Sequence, residues 1–146
     1  YYSSSFERAL DDLDFPITKP PWGTITSINL NTGKIIWQIP FGEYEYLTEK
    51  GVEITGTENF GGVTGTEGGI LIATGTLDKK LYVYNALDGS ELYSYELPYI
   101  GSAPPTTYIA NGKQYIITHA TGGRTLMQGY PDLVETGNVI VAFTLN

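Results

Sequence analysis

Cysteine is absent from the 146 residues, which removes disulfides, thiol nucleophiles and thiolate metal sites from consideration. Histidine occurs once, at His119, so neither a Ser-His-Asp device nor a multi-histidine metal site has much to draw on. Positive charge is scarce. Eight Lys and Arg face sixteen Asp and Glu, a net charge of -8, and the bases form no cluster. A phosphate backbone needs a basic footprint, so nucleic acid is excluded as a partner, as is an anionic membrane surface. No window approaches the ~20 uninterrupted apolar residues of a membrane span, and no basic-then-apolar leader opens the sequence. The chain as given reads as soluble. It begins with Tyr1 rather than Met, which points to processing or to a longer parent. Neither a GxxxxGK[ST] phosphate cradle nor a GxSxG elbow occurs.

Glycine (18) and aromatics (13%) are plentiful, and 41% of the chain is apolar, enough for one domain with a core. Residues 1–21 carry Phe6, Ala9, Leu10 and Leu13 at the spacing of one helical face, followed by Pro16, Pro20 and Pro21. A short helix and an extended linker are predicted there, with Asp11, Asp12 and Asp14 on a solvated face. Residues 22–146 change to short β-branched and aromatic runs. Strands are predicted at Thr24–Leu30, Lys34–Ile39, Gly62–Thr66, Ile70–Thr74, Leu81–Tyr84, Glu91–Leu97, Thr106–Ile109, Gln114–Thr118 and Val139–Leu145. Asn31-Thr32-Gly33, Asp88-Gly89 and Asn111-Gly112 can supply the positive φ of tight hairpin turns.

The chain repeats itself. Ile28-Asn29-Leu30-Asn31-Thr32-Gly33-Lys34-Ile35-Ile36-Trp37 aligns with Tyr84-Asn85-Ala86-Leu87-Asp88-Gly89-Ser90-Glu91-Leu92-Tyr93, and Ala142–Asn146 matches Ser27–Asn31. Gly33 and Gly89 are 56 positions apart, longer than the ~40–50 residues of an ordinary propeller blade. The surplus falls in the loops Phe41–Asn59 and Ala120–Gly137. Each unit reads as strand, glycine turn, strand ending in an aromatic, then two more strands, a four-stranded blade that needs neighbours to bury its faces. Trp37 and Tyr93 are expected to wedge between adjacent blades. About two and a half to three such units cannot close a ring, since propellers need four or more blades.

At this point a resemblance becomes specific. The docking pattern at Asn31–Trp37, with Pro20-Pro21-Trp22-Gly23-Thr24, Trp37–Tyr44, Thr55–Gly62 and Asn111–Ile117, resembles the C-terminal part of quinoprotein dehydrogenases of the membrane-type glucose/quinate branch. The resemblance runs from about Pro20 to Asn146. It implies an all-β fold, a partial β-propeller of two to three four-stranded antiparallel blades from an eight-bladed wheel. It further implies pyrroloquinoline quinone (PQQ) with Ca or Mg in the parent, a sugar or polyol substrate, and a periplasmic setting. The family's catalytic aspartate, principal metal ligands and cofactor lysine belong to upstream blades, and no stretch here matches them. The fragment alone is therefore expected to be inactive and to hold no cofactor. Its expected partners are the remaining blades, or further copies meeting through open blade edges.

Four residues are candidates for the cofactor wall by this resemblance. Asn59, Phe60 and Gly61 precede the innermost strand of their blade, where the amide could bond the quinone edge and the glycines permit close approach. A polar turn whose glycines serve local φ is the competing reading. Arg124 stands where the glucose enzymes commonly carry a histidine and could pair with a quinone carboxylate, or simply be a solvated loop residue. No residue is assigned to catalysis or to metal. His119 is expected to be packed and hydrogen bonded, and Asp78, Lys79 and Lys80 to form a solvated turn. A stand-alone β-repeat module that binds proteins or glycans without redox chemistry is the alternative function.

Overall fold

The computed structural model describes residues 8–123 and 135–144. Among them are nine strands: β1 (Thr24–Asn29), β2 (Lys34–Pro40), β3 (Val63–Gly65), β4 (Ile70–Ala73), β5 (Lys80–Asn85), β6 (Glu91–Glu96), β7 (Thr106–Ala110), β8 (Lys113–Ala120) and β9 (Val139–Thr144). Every predicted strand is present. A four-residue helix, α1 (Glu45–Thr48), sits in the long connection after β2 and was not predicted. Strands β1 and β2 form one antiparallel sheet, β3-β4-β5-β6 a second, and β7-β8-β9 a third.

The turns explain the repeat. In the first hairpin the Asn29 side chain accepts bonds from the Asn31 and Thr32 amides, and its carbonyl accepts the Gly33 amide at 2.7 Å. In the second, Asn85 does the same for Leu87 and Gly89, both at 2.9 Å. An asparagine that bonds the backbone two residues on sets the turn, and a glycine at positive φ (67° and 73°) closes it. The kinship extends inward, because the register slips at Ser27/Ile28 and again at Val83/Tyr84, equivalent positions of the two units. The Asn111-Gly112 turn has positive φ at both residues, as a two-residue hairpin requires.

Hydrogen bonding corrects the frame of the repeat. The docking hairpin closes a blade instead of opening one: β5 and β6 are the third and fourth strands of the sheet that β3 begins. By the same frame β1-β2 are the last two strands of one blade and β7-β8-β9 the first three of another.

The middle sheet is sandwiched. Strand β5 is buried almost throughout, with Tyr82 and Tyr84 meeting Ile25, Phe41, Trp37 and Ile39 of the first sheet's side. Leu81 and Val83 point oppositely and meet Ala120, Ile116, Val139, Val141 and Phe143 of the third. Alternation along one strand thus supplies two cores. The outer sheets have one covered face each. On β9, Val139, Val141 and Phe143 turn inward while Ile140 is 64% exposed.

The docking ring behaves as expected at one site and differently at the other. Trp37 is partly buried, donates its indole N–H to Ala86 O at 3.1 Å, and lies against the Gly89 turn of the next sheet. Tyr93, its counterpart, is 50% exposed.

Residues 8–22 form a strap with no helical turn, while the start of the predicted helix, at residues 1–7, lies outside the described residues. Among its described residues Leu10 bridges to Pro16, and Asp11 caps the turn by accepting from the Leu13 and Phe15 amides at 2.9 and 3.0 Å. A carboxylate that bonds nearby amides competes with helix formation, which is why the helical spacing is not realised. Leu10 packs on Ile100, and Phe15 stacks on Tyr46 and meets Tyr44 edge-on.

Candidate functional site

The connection preceding β3 and the loop between β4 and β5 meet at one end of the middle sheet. Asn59 forms an isolated bridge with Thr76, and the Phe60 amide donates to Gly75 O at 3.1 Å. Thr57 is fully buried and its hydroxyl accepts the Leu77 amide at 3.1 Å. Asp78 fastens the two segments. One carboxylate oxygen accepts from the Thr76 hydroxyl and the Lys80 amide, and the other from the Tyr82 hydroxyl and, at 2.8 Å, the Glu43 amide. Lys80 returns to Glu43 through an ion pair.

These contacts shift two proton affinities. Burial first, and the neighbouring Asp78 carboxylate second, push the Tyr82 phenol far above its ordinary range. The bond to Glu43 raises the Lys80 ammonium even though burial opposes it. Asp78 and Lys80 are therefore not the solvated turn expected. A lone Asp between Leu and Lys carries no mark of its four donors, one of which comes from a residue 35 positions away.

The candidate residues separate. Asn59 is exposed and lines a cleft of about 410 Å³ bounded by Thr24–Ser27, Trp37, Phe41, Gly62, Val63 and Leu71. Phe60 is 41% exposed. Gly61 serves packing: a Cβ there would stand 2.0 Å from Thr74 O and 2.7 Å from Gly75 Cα. The close approach that demands glycine is to this chain's own backbone. Arg124 lies outside the described residues. His119 is exposed on β8 opposite Ile140, not packed, because β8 turns that face away from the middle sheet.

A larger cleft, about 580 Å³, opens beside the Asp78 network. Leu13, Asp14 and Phe15 of the strap form one wall, and Glu43–Tyr46 with Leu77–Lys80 form the other. No group of three or more His, Asp or Glu side chains is placed to hold a metal among the described residues. No described helix is long and apolar enough to cross a membrane.

Antiparallel sheets stacked face to face, with a ring from one seated on the turn of the next, define a segment of a β-propeller. The family model "PQQ: Glucose/ethanol/alcohol dehydrogenase, beta-propeller domain" matches residues 1–116, and the chain belongs to that family. It is 32% identical over 151 residues to a probable quinate dehydrogenase (quinone) of Xanthomonas campestris pv. juglandis, covering 99% of this chain and 18% of the relative. It is 29% identical to the quinoprotein glucose dehydrogenase of Escherichia coli, with coverage of 99% and 18%. Among solved structures, the quinohemoprotein alcohol dehydrogenase of Comamonas testosteroni superposes with a TM-score of 0.63 at 22% identity. That match covers 91% of this chain and 18% of the other, and it speaks for the fold. The chain thus spans about a fifth of the length of the proteins it resembles.

Proposed function

We propose that the chain is a C-terminal propeller segment of a PQQ-dependent sugar or polyol dehydrogenase of the periplasm, supplying part of the cofactor wall and no catalytic base. The observation that carries the reading is the position of Asn59: an exposed amide in the connection leading into β3, held by its bridge to Thr76. The described residues do not fit a complete cofactor site. They bring one exposed amide, no cluster of metal ligands, and a glycine already filled by Thr74. A quinone bearing carboxylates, with its divalent cation, would take most of its contacts from other blades, and no chemical step is assigned to this chain.

The uncovered faces support the same reading. Ile36 is 58% exposed, Ile109 76% and Ile140 64% on the outer sheets, and among the described residues β1 pairs only with β2. Neighbouring blades of the parent would bury that surface and pair that edge. One observation favours the alternative of a stand-alone binding module: the middle sheet is already complete and covered on both sides.

The test has two arms. The 146-residue chain, given PQQ and calcium, should oxidise no sugar in a dye-linked assay. In the longer protein, Asn59→Ala should weaken PQQ binding about five- to tenfold, the loss of one hydrogen bond, with the melting temperature unchanged. Turnover by the chain alone, or PQQ affinity indifferent to Asn59, would overturn the assignment. Absence of PQQ binding in the longer protein would favour the module.

A further inference from the structure

The strap is fastened differently from the sheets. Its backbone hydrogen bonds, Asp11 to Phe15, Asp14 to Asp11 and Ile17 to Ala9, close on the strap itself. Its main-chain link to the body comes at its end, where the Trp22 amide donates to Thr55 O at 2.7 Å. Side chains hold the rest. Arg8 makes a two-pronged bond to Glu58, Nε to Oε2 at 2.7 Å and Nη2 to Oε1 at 2.8 Å. Leu10 rests on Ile100, while Phe15 rests on Tyr44 and Tyr46. Segments with few backbone bonds to the core open at lower free energy than the core itself.

The charges on the two sides oppose closure. Asp14 on the strap faces a cleft whose other lining residues include Glu43, Glu45, Asp78 and Glu96, against Lys79 and Lys80. Glu43 is already matched by Lys80, and Asp78 is used by its four donors. The excess is negative on both sides. Arg8, outside the cleft, supplies the attraction that this face lacks, and its geometry is the bidentate form that gives such pairs direction.

We infer that the strap is a lid latched by the Arg8–Glu58 ion pair, and that its release opens the cleft between Phe15 and the Glu43–Tyr46 and Leu77–Lys80 loops without unfolding the sheets. The inference does not rest on the cofactor reading, since neither the ion pair nor the cleft lining includes Asn59, Phe60 or Gly61.

Hydrogen exchange on the full chain tests it. Arg8→Ala, and separately Glu58→Gln, should speed exchange of the Trp22 amide, the strap's main-chain bond to the body, about fivefold. The Leu81 and Val83 amides of β5, paired with β4 and β6, should keep their rates. The exchanged pair, Arg8→Glu with Glu58→Arg, should restore protection. Acylation of Lys79 and Lys80 should rise in both single variants, with exposed Lys113 as the constant reference. An unchanged Trp22 amide would remove the latch. Equal acceleration in β5 would make the strap part of the cooperative fold. Faster strap exchange with unaltered lysine reactivity would show that it covers nothing. Any of these three results overturns the inference.

Discussion

Gly33 and Gly89 occupy the same place in two equivalent hairpins, with φ of 67° and 73°, yet a ring covers only one of them. Alanine at either position forces a side chain into the left-handed region, at about 1–2 kcal/mol. At Gly33 no described residue stands within 4 Å of the added carbon, so the cost stops there. At Gly89 that carbon would lie 2.8 Å from Trp37 Cε3 and 3.0 Å from Cδ2, inside the ~3.5–4.0 Å of a relaxed carbon contact. The indole is tethered to Ala86 O, so displacing it adds about 1–3 kcal/mol. We expect losses of about 1–2 kcal/mol for Gly33→Ala and about 2–5 kcal/mol for Gly89→Ala, read from urea titrations of unchanged slope. In a Trp37→Ala background the cost of Gly89→Ala should fall to the Gly33 value, a coupling of about 1–3 kcal/mol. Equal costs at the two glycines, or a Gly89→Ala cost indifferent to Trp37, would refute ring-on-turn docking as the joint between blades.

Gly61→Ala should cost more than about 3 kcal/mol in thermal unfolding of the chain without cofactor, because the clash is with backbone; wild-type stability would return Gly61 to the cofactor reading. Thr118 is fully buried with its hydroxyl unbonded among the described residues, so Thr118→Val should gain about 1 kcal/mol, and a loss would reveal a partner for that hydroxyl. Tyr82 and Lys80 both bind their protons more tightly in the fold than in the open chain, where their usual values are 10.0 and 10.5. Their stabilisation is complete below those values and is lost as pH rises through the higher folded ones. The melting temperature should therefore decline above about pH 10, and more gently in Tyr82→Phe; a flat alkaline profile would contradict the burial of that phenol.

Strands were readable because their signals are local: alternation, β-branched residues, and Asn or Gly at turns. The docking hairpins at Asn29–Gly33 and Asn85–Gly89 were readable twice over, once by residue type and once by repetition. The Asp78 network was not, because its donors come from the connection before α1, from the loop and from β5, and no spacing links them. Over residues 8–22 the helical spacing is not realised, for a related reason. Phe6, Ala9, Leu10 and Leu13 have helical spacing, but Asp11 turns the chain back, and the apolar anchors for Leu10 and Phe15 lie at Ile100 and Tyr44–Tyr46.

The sequence by itself determined that this chain is a repeating antiparallel β-structure with glycine-closed hairpins and docking aromatics, since each of those features is settled within about ten neighbouring residues. Only the tertiary structure decided where one blade ends and the next begins, because a repeat looks the same in every frame and hydrogen bonds between strands choose among them. It also decided which ring is seated: Trp37 has the Gly89 turn of the next sheet beneath it, and Tyr93 stands half in water. Contacts between blades join residues some fifty positions apart, as Trp37 and Ala86 are, and no local pattern reports whether the partner is in place.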